Sequence, residues 1–268
     1  MHAQLAIIGA GNLGQALAKG AIEKCGISPA DVVLARRNLS KIEHWRHTGV
    51  TITQNNRQAA AAANMVILCV QPKQIATVLG EINEVLTESR HILISVATGV
   101  TTGEIAACLG GKPVPVVRAM PNTAVAIGQS MTCLCASQGH EHALLPAKQL
   151  FDALGQTLII EERLMKAATV LAASGVAFFM RYIRAATQGG IQLGFDADDA
   201  QAIAIQTAKG AATLLQTNKS HPELEIDRVT TPEGCTIAGL NEMEHQGLSP
   251  ALIKGIITSY EKINNIRQ

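Results

Sequence analysis

The sequence predicts an α/β fold: an amino-terminal Rossmann-type, doubly wound and mostly parallel sheet, followed by an all-α domain. Three observations support this prediction. Short apolar runs alternate with amphipathic helical segments as far as Glu161. A Gly-x-Gly-x-x-Gly motif follows the first apolar run. Only long helical patterns occur after that point, so we place the domains at residues 1–161 and 162–268.

The predicted strands are short runs rich in branched aliphatic residues. The run Met65–Val70 is apolar throughout, which is typical of a parallel strand covered on both faces. The predicted strands are Leu5–Gly9, Val32–Ala35, Met65–Val70, Ile92–Val96, Val114–Arg118, Met131–Cys135 and Thr157–Ile160.

The predicted helices carry apolar residues at a spacing of three and four. In the first domain they are Leu13–Lys24, the alanine run Ala59–Ala63, Gln74–Leu86, Thr102–Leu109 and Glu141–Leu154. In the second they are Leu164–Gln188, Ala197–Thr217, Thr236–Gln246 and Pro250–Asn265. Small residues such as Ala168, Ala172 and Gly175 share one face of the first of these, which suits either a subunit interface or packing within the chain.

Composition argues against several classes of partner. Hydrophobic residues make up 47% of the chain, charged residues 16%, and the formal net charge is +1. No basic stripe appears, so we expect no nucleic-acid partner. The apolar stretch Ala167–Met180 is shorter than the roughly 20 residues that span a bilayer, so we expect no membrane partner.

Cysteine usage predicts a cytoplasmic protein with reduced, buried thiols. The six cysteines have no Cys-x-x-Cys spacing, and the first residues lack the charged region of a signal peptide. Cys133 and Cys135 alternate along one predicted strand, so their side chains point the same way and would bridge poorly.

The segment Gly9–Gly14 predicts a dinucleotide site. It follows the strand residues Ala6–Ile8 and opens an amphipathic helix, which is the context that gives the motif meaning. Gly9 permits a tight turn, Gly11 leaves space for a pyrophosphate, and Gly14 lets helix and strand pack closely.

The end of the second strand predicts the choice of cofactor. An NAD site has an acidic residue there to bind the ribose 2′-hydroxyl. This strand instead ends in Arg36 and Arg37. Guanidinium groups suit a 2′-phosphate, so NADPH is expected, with NADH as the alternative.

The segment Asp227–Thr236 predicts a second ligand site at the start of a helix. Thr230 and Thr231 are candidate caps, and Pro232 fits a first helical turn. The amides of Gly234–Thr236 would converge on one point, which suits a small carboxylate. Taken alone, the pattern is also that of an ordinary helix start.

Further motifs run through the whole chain. They are Ile8–Gly11 with Gly14, Asn55-Asn56, Val70–Pro72, Ser95–Thr101, Arg118–Thr123, Ser174-Gly175 with Ala177-Phe178, His221-Pro222 and Thr231–Thr236. In this order they resemble the pyrroline-5-carboxylate reductase family, essentially end to end.

The resemblance implies a Rossmann domain and a helical dimerisation and substrate-binding domain, with homodimers that often assemble into decamers. It implies hydride transfer from NADPH or NADH to the C=N bond of 1-pyrroline-5-carboxylate, giving L-proline in the last step of proline biosynthesis. The implied cofactor residues are Ile8, Gly9, Ala10, Gly11, Asn12, Leu13, Gly14, Arg36, Asn56, Val70, Gln71, Pro72, Val96 and Thr98. The implied substrate residues are Thr231, Gly234, Cys235 and Thr236, with the Thr236 hydroxyl facing the imine nitrogen as the catalytic group.

The sequence departs from the family pattern at four positions. Gln71 stands where Lys is common, and Val176 replaces a Pro. Glu233 occupies a usual Gly, and Cys235 replaces a small residue or Thr. A carboxylate at position 233 would repel an anionic substrate unless it points outward, where it suits the helix dipole.

Two other functions fit parts of the sequence. A β-hydroxyacid dehydrogenase would need a Lys on the long helix, but Ser174–Ala185 offers only Arg181 and Arg184 as basic residues. A degenerate reductase that binds NADP(H) as a sensor would explain the departures from the family pattern. The paired histidines of 44–47 and 140–142 predict solvated side chains, and no metal site is expected.

Overall fold

The computed structural model describes residues 3–263. Two compact units account for them. The first extends to Ser174 and includes the chain from Tyr260 onward, and the second is Gly175–Ser259. One continuous helix crosses Ser174, so this division does not test the domain boundary after Glu161, which stays a prediction.

The first unit contains a single eight-stranded sheet. Its strand order is β3-β2-β1-β4-β5-β6-β7-β8, and β6–β7 is the one antiparallel pair among the described strands. The predicted doubly wound, mostly parallel sheet is therefore confirmed. The strands are β1 Ala3–Ile8, β2 Val32–Ala35, β3 Thr51–Thr53, β4 Ala63–Leu68, β5 Ile92–Ser95, β6 Val116–Met120, β7 Ser130–Ala136 and β8 Gly155–Ile159.

The helices lie close to their predicted positions, with shorter ends in several cases. In the first unit they are α1 Asn12–Cys25, α2 Asn56–Ala62, α3 Ile75–Ile82, α4 Thr102–Cys108, α5 Leu144–Asp152 and α6 Met165–Ala168. The others are α7 Gly175–Gln192, α8 Ala197–Asn218, α9 Pro222–Val229, α10 Cys235–His245 and α11 Leu248–Ile263. A π-helical turn, Thr169–Ser174, joins α6 to α7.

Two elements of the fold were not predicted. The strand β3 has three residues, too few for an alternating pattern to stand out. In α9, Leu224 and Ile226 lie two residues apart, which is not helical spacing. Elsewhere, 3₁₀ turns replace the predicted helix ends at Asn83–Val85 and Glu141–Ala143.

The core lies on both faces of the sheet. Along β1, Leu5 and Ile7 join an apolar cluster on one face, while Ala6 and Ile8 join a second cluster on the other. All four side chains are at most 1% exposed. This double coverage confirms that the apolar runs are central parallel strands.

The long helix Glu162–Gln192 corrects a prediction about length. Its 31 residues are long and apolar enough to cross a membrane by length and composition alone, and it is one such helix among the described residues. The expectation that the apolar stretch is too short was wrong, because the π-helical turn continues the helix in both directions. Core and interface helices of soluble proteins pass the same test, so the finding is weak evidence for a membrane role.

The cysteines are only partly as expected. All six are free thiols, and Cys133 and Cys135 are buried on β7 as predicted. Cys108 and Cys235 are exposed, so the expectation that every thiol is buried was wrong. Burial raises the pKa of the Cys69 thiol to about 12 and that of Cys135 to about 11.

Candidate active site

The glycine loop after β1 has the geometry that its sequence predicts. Gly9 has a φ of +91°, and a Cβ there would lie 2.5 Å from the Cys69 carbonyl oxygen and 2.7 Å from Val70 Cγ1. Both the backbone angle and the close approach require glycine. A Cβ on Gly14 would lie 3.1 Å from Ile7 Cγ2, so Gly14 lets α1 pack tightly on β1.

The start of α1 leaves three amides for a ligand. The amides of Gly9–Gly11 are used within the protein. Those of Gly9 and Ala10 donate to Ala35 O at 2.9 and 3.1 Å, and that of Gly11 donates to Gly9 O at 2.6 Å. The first helical bond runs from Gln15 N to Gly11 O. The amides of Asn12–Gly14 therefore lie at the helix terminus, where no side chain caps them. This arrangement fits a pyrophosphate.

Three side chains brace the loop. Arg36 Nη1 donates to Ala10 O at 2.7 Å, and Gln15 Nε2 donates to the same oxygen at 3.4 Å. Trp45 Nε1 in turn donates to Gln15 Oε1 at 3.1 Å. Arg36 was predicted to lie at the cofactor site, and the structure places it beside the loop. Gln15 and Trp45 were missed, since no local pattern indicates a contact between residues 30 positions apart.

A shallow pocket of about 480 Å³ lies beyond the end of β3. Its lining residues are Gln54, Asn55, Asn56, Arg57 and Glu81. Gln54 Nε2 donates to the Arg37 carbonyl oxygen at 2.7 Å, which ties this pocket to the end of β2. The structure thus brings Asn56 to the edge where the adenosine ribose phosphate was expected.

The remaining predicted cofactor residues follow the neighbouring strands. Val70–Pro72 come directly after β4, and Val96 and Thr98 come after β5. These strands and β1 are adjacent and parallel, so all three segments lie at the same edge of the sheet. Strand order changes direction between β1 and β4, which is where α/β sheets bind ligands.

A buried ion pair links β6 to the long helix. Arg118 Nη1 donates to Glu162 Oε1 at 3.1 Å, and the Arg118 side chain is 5% exposed. Glu162 also accepts bonds from the amide and hydroxyl of Thr102, at 2.7 and 2.6 Å. Burial raises the pKa of Glu162, but the hydrogen bonds from Thr102 and Arg118 outweigh it and hold that pKa below its usual value.

The motif Arg118–Thr123 therefore has a structural role in the first unit. Its second polar side chain, Asn122, donates from Nδ2 to the Ala172 carbonyl oxygen at 3.1 Å, within the π-helical turn. Arg118 and Asn122 both fasten the first part of the long helix to the sheet. The sequence did not predict a role for Glu162, because it lies 44 residues from Arg118 and only the folded chain brings the two side chains together.

The segment Thr231–Thr236, here called the substrate turn, starts α10 differently from the prediction. Gly234 is the N-cap, and the helix begins at Cys235. The Gly234 amide donates to Thr231 O at 3.0 Å, so the expectation that it is available to a ligand was wrong. The amides of Cys235 and Thr236 precede the first helical bond, from Ala238 N to Gly234 O, and both residues are exposed.

The predicted caps in this region were also wrong. Thr230 ends the preceding helix α9, since its amide donates to Ile226 O and its hydroxyl to Asp227 O at 3.1 Å each. Pro232 precedes the cap rather than opening the helix. These threonines had the right chemistry for a cap, but the tight turn after Thr231 moves the helix start to Cys235.

Glu233 adopts a left-handed backbone conformation, with a φ of +58°. Lys219 is the other residue besides glycine with a positive φ in the described part of the chain. A glycine at position 233 would reach this conformation without strain. The left-handed backbone therefore explains why the family usually has Gly at this position. In this chain the position is occupied by Glu, and its side chain is exposed.

Residues 3–263 contain no group of three or more His, Cys, Asp or Glu side chains placed to hold a metal ion. The rings of His140 and His142 lie 5.9 Å apart without a third ligand of this kind beside them.

Comparison with known proteins identifies the family. A family model described as pyrroline-5-carboxylate reductase dimerisation matches residues 162–266, and one described as NADP oxidoreductase, coenzyme F420-dependent, matches residues 4–99. The chain is 44% identical to pyrroline-5-carboxylate reductase 2 of Dictyostelium discoideum, over 96% of the chain and 91% of that relative. The chain belongs to the pyrroline-5-carboxylate reductase family.

Pyrroline-5-carboxylate reductase 1 of the same organism is 48% identical over 96% of the chain, which spans about half of that relative's length (49%). The fold is shared with pyrroline carboxylate reductase of Plasmodium falciparum, solved with NADP bound. The two superpose with a TM-score of 0.89 at 21% identity, over 99% of this chain and 98% of that one.

Membership of the pyrroline-5-carboxylate reductase family confirms the predicted fold class and the predicted NAD(P)H-dependent oxidoreductase activity. It also favours imine reduction over alcohol oxidation by a β-hydroxyacid dehydrogenase. The roles assigned to individual residues of the glycine loop and the substrate turn stay predictions.

Proposed function

We propose that the chain reduces the C=N bond of 1-pyrroline-5-carboxylate to give L-proline, with NADPH preferred over NADH. The observation that carries this proposal is that the chain matches a pyrroline-5-carboxylate reductase along 96% of its length and has, in each unit, a helix start suited to an anion. In the first unit this is the glycine loop, and in the second it is the substrate turn.

The first unit would hold the cofactor by its backbone and one arginine. The amides of Asn12–Gly14 suit the pyrophosphate, and the Arg36 nitrogens that do not bind Ala10 suit the ribose 2′-phosphate. Val96 and Thr98 would lie against the nicotinamide end. Bound NADPH supplies the hydride, so the protein's own task is placement and electrostatics.

The second unit would hold the substrate at the start of α10. The amides of Cys235 and Thr236 suit the ring carboxylate, because they point from a helix terminus that attracts negative charge. The Thr236 hydroxyl would orient the imine nitrogen and pass a proton to it through water. A Thr hydroxyl is a weak acid, so positioning and relay describe its role better than strong acid catalysis.

Replacing Thr236 tests this mechanism. For Thr236→Ala we expect kcat to fall by about tenfold or more, since proton-transfer groups contribute roughly 10²–10⁴-fold and this one acts partly through water. The Kd for NADPH should stay unchanged. Thr236→Ser, which keeps the hydroxyl, is the matched control and should retain most of the activity. Equal kcat in Thr236→Ala and the unchanged protein would remove Thr236 from the mechanism.

We further propose that the protein is a cytoplasmic homodimer, able to assemble into decamers, without nucleic-acid or membrane partners. Support comes from the dimerisation model, the net charge of +1 and the free thiols. Light scattering of the purified protein, with and without lipid vesicles or DNA, tests the assembly and both excluded partners.

A further inference from the structure

We propose that Glu233 sets the affinity of the substrate turn for its carboxylate ligand and is a specificity-determining residue. This inference rests on the function proposed above. It adds that the chain carries a fixed negative charge beside the site where an anion binds. This charge lowers the affinity for the substrate carboxylate, and the size of that effect depends on the salt concentration.

The backbone fixes where this charge starts. Glu233 is held at a φ of +58° between Pro232 and Gly234, and the Gly234 amide closes the turn on Thr231 O. A Cβ on Gly234 would lie 2.5 Å from Thr231 Oγ1, so the closed turn leaves no room for a side chain at position 234. The closed turn therefore imposes the left-handed conformation at residue 233, which a glutamate does not favour by itself.

The distance to the carboxylate site is short. Consecutive Cα atoms are about 3.8 Å apart, so the Glu233 Cα lies within about 7.6 Å of the Cys235 Cα. The Cys235 amide is one of the two donors assigned to the substrate carboxylate. Glu233 is exposed, so its carboxylate acts on the site through solvent.

In the described part of the chain, the Glu233 carboxylate has no basic partner at ion-pair distance. Glu233 takes part in none of the ion pairs of residues 3–263, and the nearest basic residue before it in the sequence, Arg228, pairs with Glu225 at 2.7 Å. Like charges in water at a separation comparable with that Cα–Cα distance, about 7 Å, repel enough to change a binding constant by about two- to fourfold. Ions screen that repulsion at high salt.

The test compares Glu233→Gln with the unchanged protein in steady-state assays of pyrroline-5-carboxylate reduction. Assays are run at an ionic strength of about 0.01 M, where the Debye length is about 30 Å, and at about 1 M, where it is about 3 Å. The matched control is Glu244→Gln, at the far end of the same helix, nine residues or about 14 Å from Cys235. Calorimetry of L-proline binding gives a second readout that does not need turnover.

We expect Glu233→Gln to lower the KM for the imine and the Kd for L-proline by about two- to fourfold at low ionic strength. Neither constant should change at high ionic strength, and kcat should stay the same. The control Glu244→Gln should change both constants less. Glu233→Gly should show the same fall and also a higher melting temperature, because it relieves the left-handed strain.

An unchanged KM and Kd at low ionic strength, or a fall of equal size at both ionic strengths, would overturn the role of Glu233. Absence of imine reduction by the unchanged protein would instead overturn the proposed function. The L-proline titration still decides the role of Glu233 in that case.

Discussion

At the scale of single residues, we expect one arginine to distinguish NADPH from NADH. This arginine is Arg36, whose guanidinium is already fixed by the bond to the Ala10 carbonyl. A guanidinium held in this way loses less conformational entropy when it binds a phosphate. We therefore expect Arg36 to be preorganised for the 2′-phosphate that distinguishes NADPH from NADH.

Replacing Arg36 should therefore affect the two cofactors unequally. For Arg36→Ala we expect the Kd for NADPH to rise by about tenfold or more, since a hydrogen bond to a charged group contributes about 1.5–3 kcal/mol. The Kd for NADH, which lacks the 2′-phosphate, should change by much less and is the internal control. Fluorescence titration measures both, and an equal loss for the two cofactors would mean that Arg36 only braces the loop.

His91 makes stability depend on pH. Its ring is 1% exposed, and its Nδ1 accepts a bond from the Thr87 amide at 3.1 Å. Burial and the positive charge of Arg90 lower the pKa of His91 below its usual 6.5, although backbone hydrogen bonds partly oppose this. The unfolded chain therefore binds a proton at a higher pH than the folded chain does.

This difference predicts that the His91 contribution to stability is fully present above about pH 6.5 and is lost as the pH falls through the lowered pKa. Urea unfolding at several pH values between 5 and 8 measures the effect. His91→Gln should flatten that part of the profile, whereas His44→Gln, at an exposed position, should leave it unchanged. The same slope in both variants would contradict the prediction.

At the scale of elements, polar ties fasten the start of the long helix to the sheet. Glu162 joins the first turn of that helix to β6 and α4, and the Asn122 amide holds the π-helical turn one step further on. A π-helical turn leaves backbone carbonyls without their usual helical partners. The Asn122 bond to Ala172 O satisfies one such carbonyl.

Removing the Glu162 carboxylate should cost considerable stability. Glu162→Ala leaves the Arg118 guanidinium buried without its anion, and we expect the free energy of unfolding to fall by about 2–3 kcal/mol, below the usual 3–5 because Glu162 itself is partly exposed. Glu161→Ala is the matched control, since Glu161 pairs with Arg163 at the surface and its removal should change little. Urea unfolding measures both variants. An equal loss of unfolding free energy in the two would show that the buried pair stabilises the fold no more than the surface pair does.

At the scale of the whole molecule, the second unit presents more apolar surface than a monomer usually exposes. Phe179 is 74% exposed, Met180 61% and Leu193 84%. Large apolar side chains exposed to this degree are typical of a subunit interface. The match of residues 162–266 to a dimerisation model gives the reason for it.

A charge placed on that surface should break the dimer. For Phe179→Glu we expect the dissociation constant of the dimer to rise by at least about 100-fold, because an unpaired buried charge costs about 3 kcal/mol or more. Analytical ultracentrifugation measures the constant. The exposed turn residue Gln138, in the first unit, provides a control of equal charge change as Gln138→Glu. A dimer of unchanged affinity in Phe179→Glu would place the interface elsewhere.

The sequence by itself determined most of the strands and helices along the chain, the glycine loop and the reductase family. These features depend on local rules: apolar periodicity, the backbone freedom of Gly9, and motifs of a few adjacent residues. The same rules failed at Thr230 and Pro232, where several residues had suitable chemistry and only the closed turn selected Gly234 as the cap.

The tertiary structure alone decided which groups are free and which are already bonded. It assigned the Gly234 amide to Thr231, and it set the Arg118 guanidinium against Glu162, 44 residues away. It also brought Trp45 to Gln15. The physical reason is that each buried polar group takes whatever partner the packed chain places within reach, and that partner is fixed by distance in space rather than by spacing along the sequence.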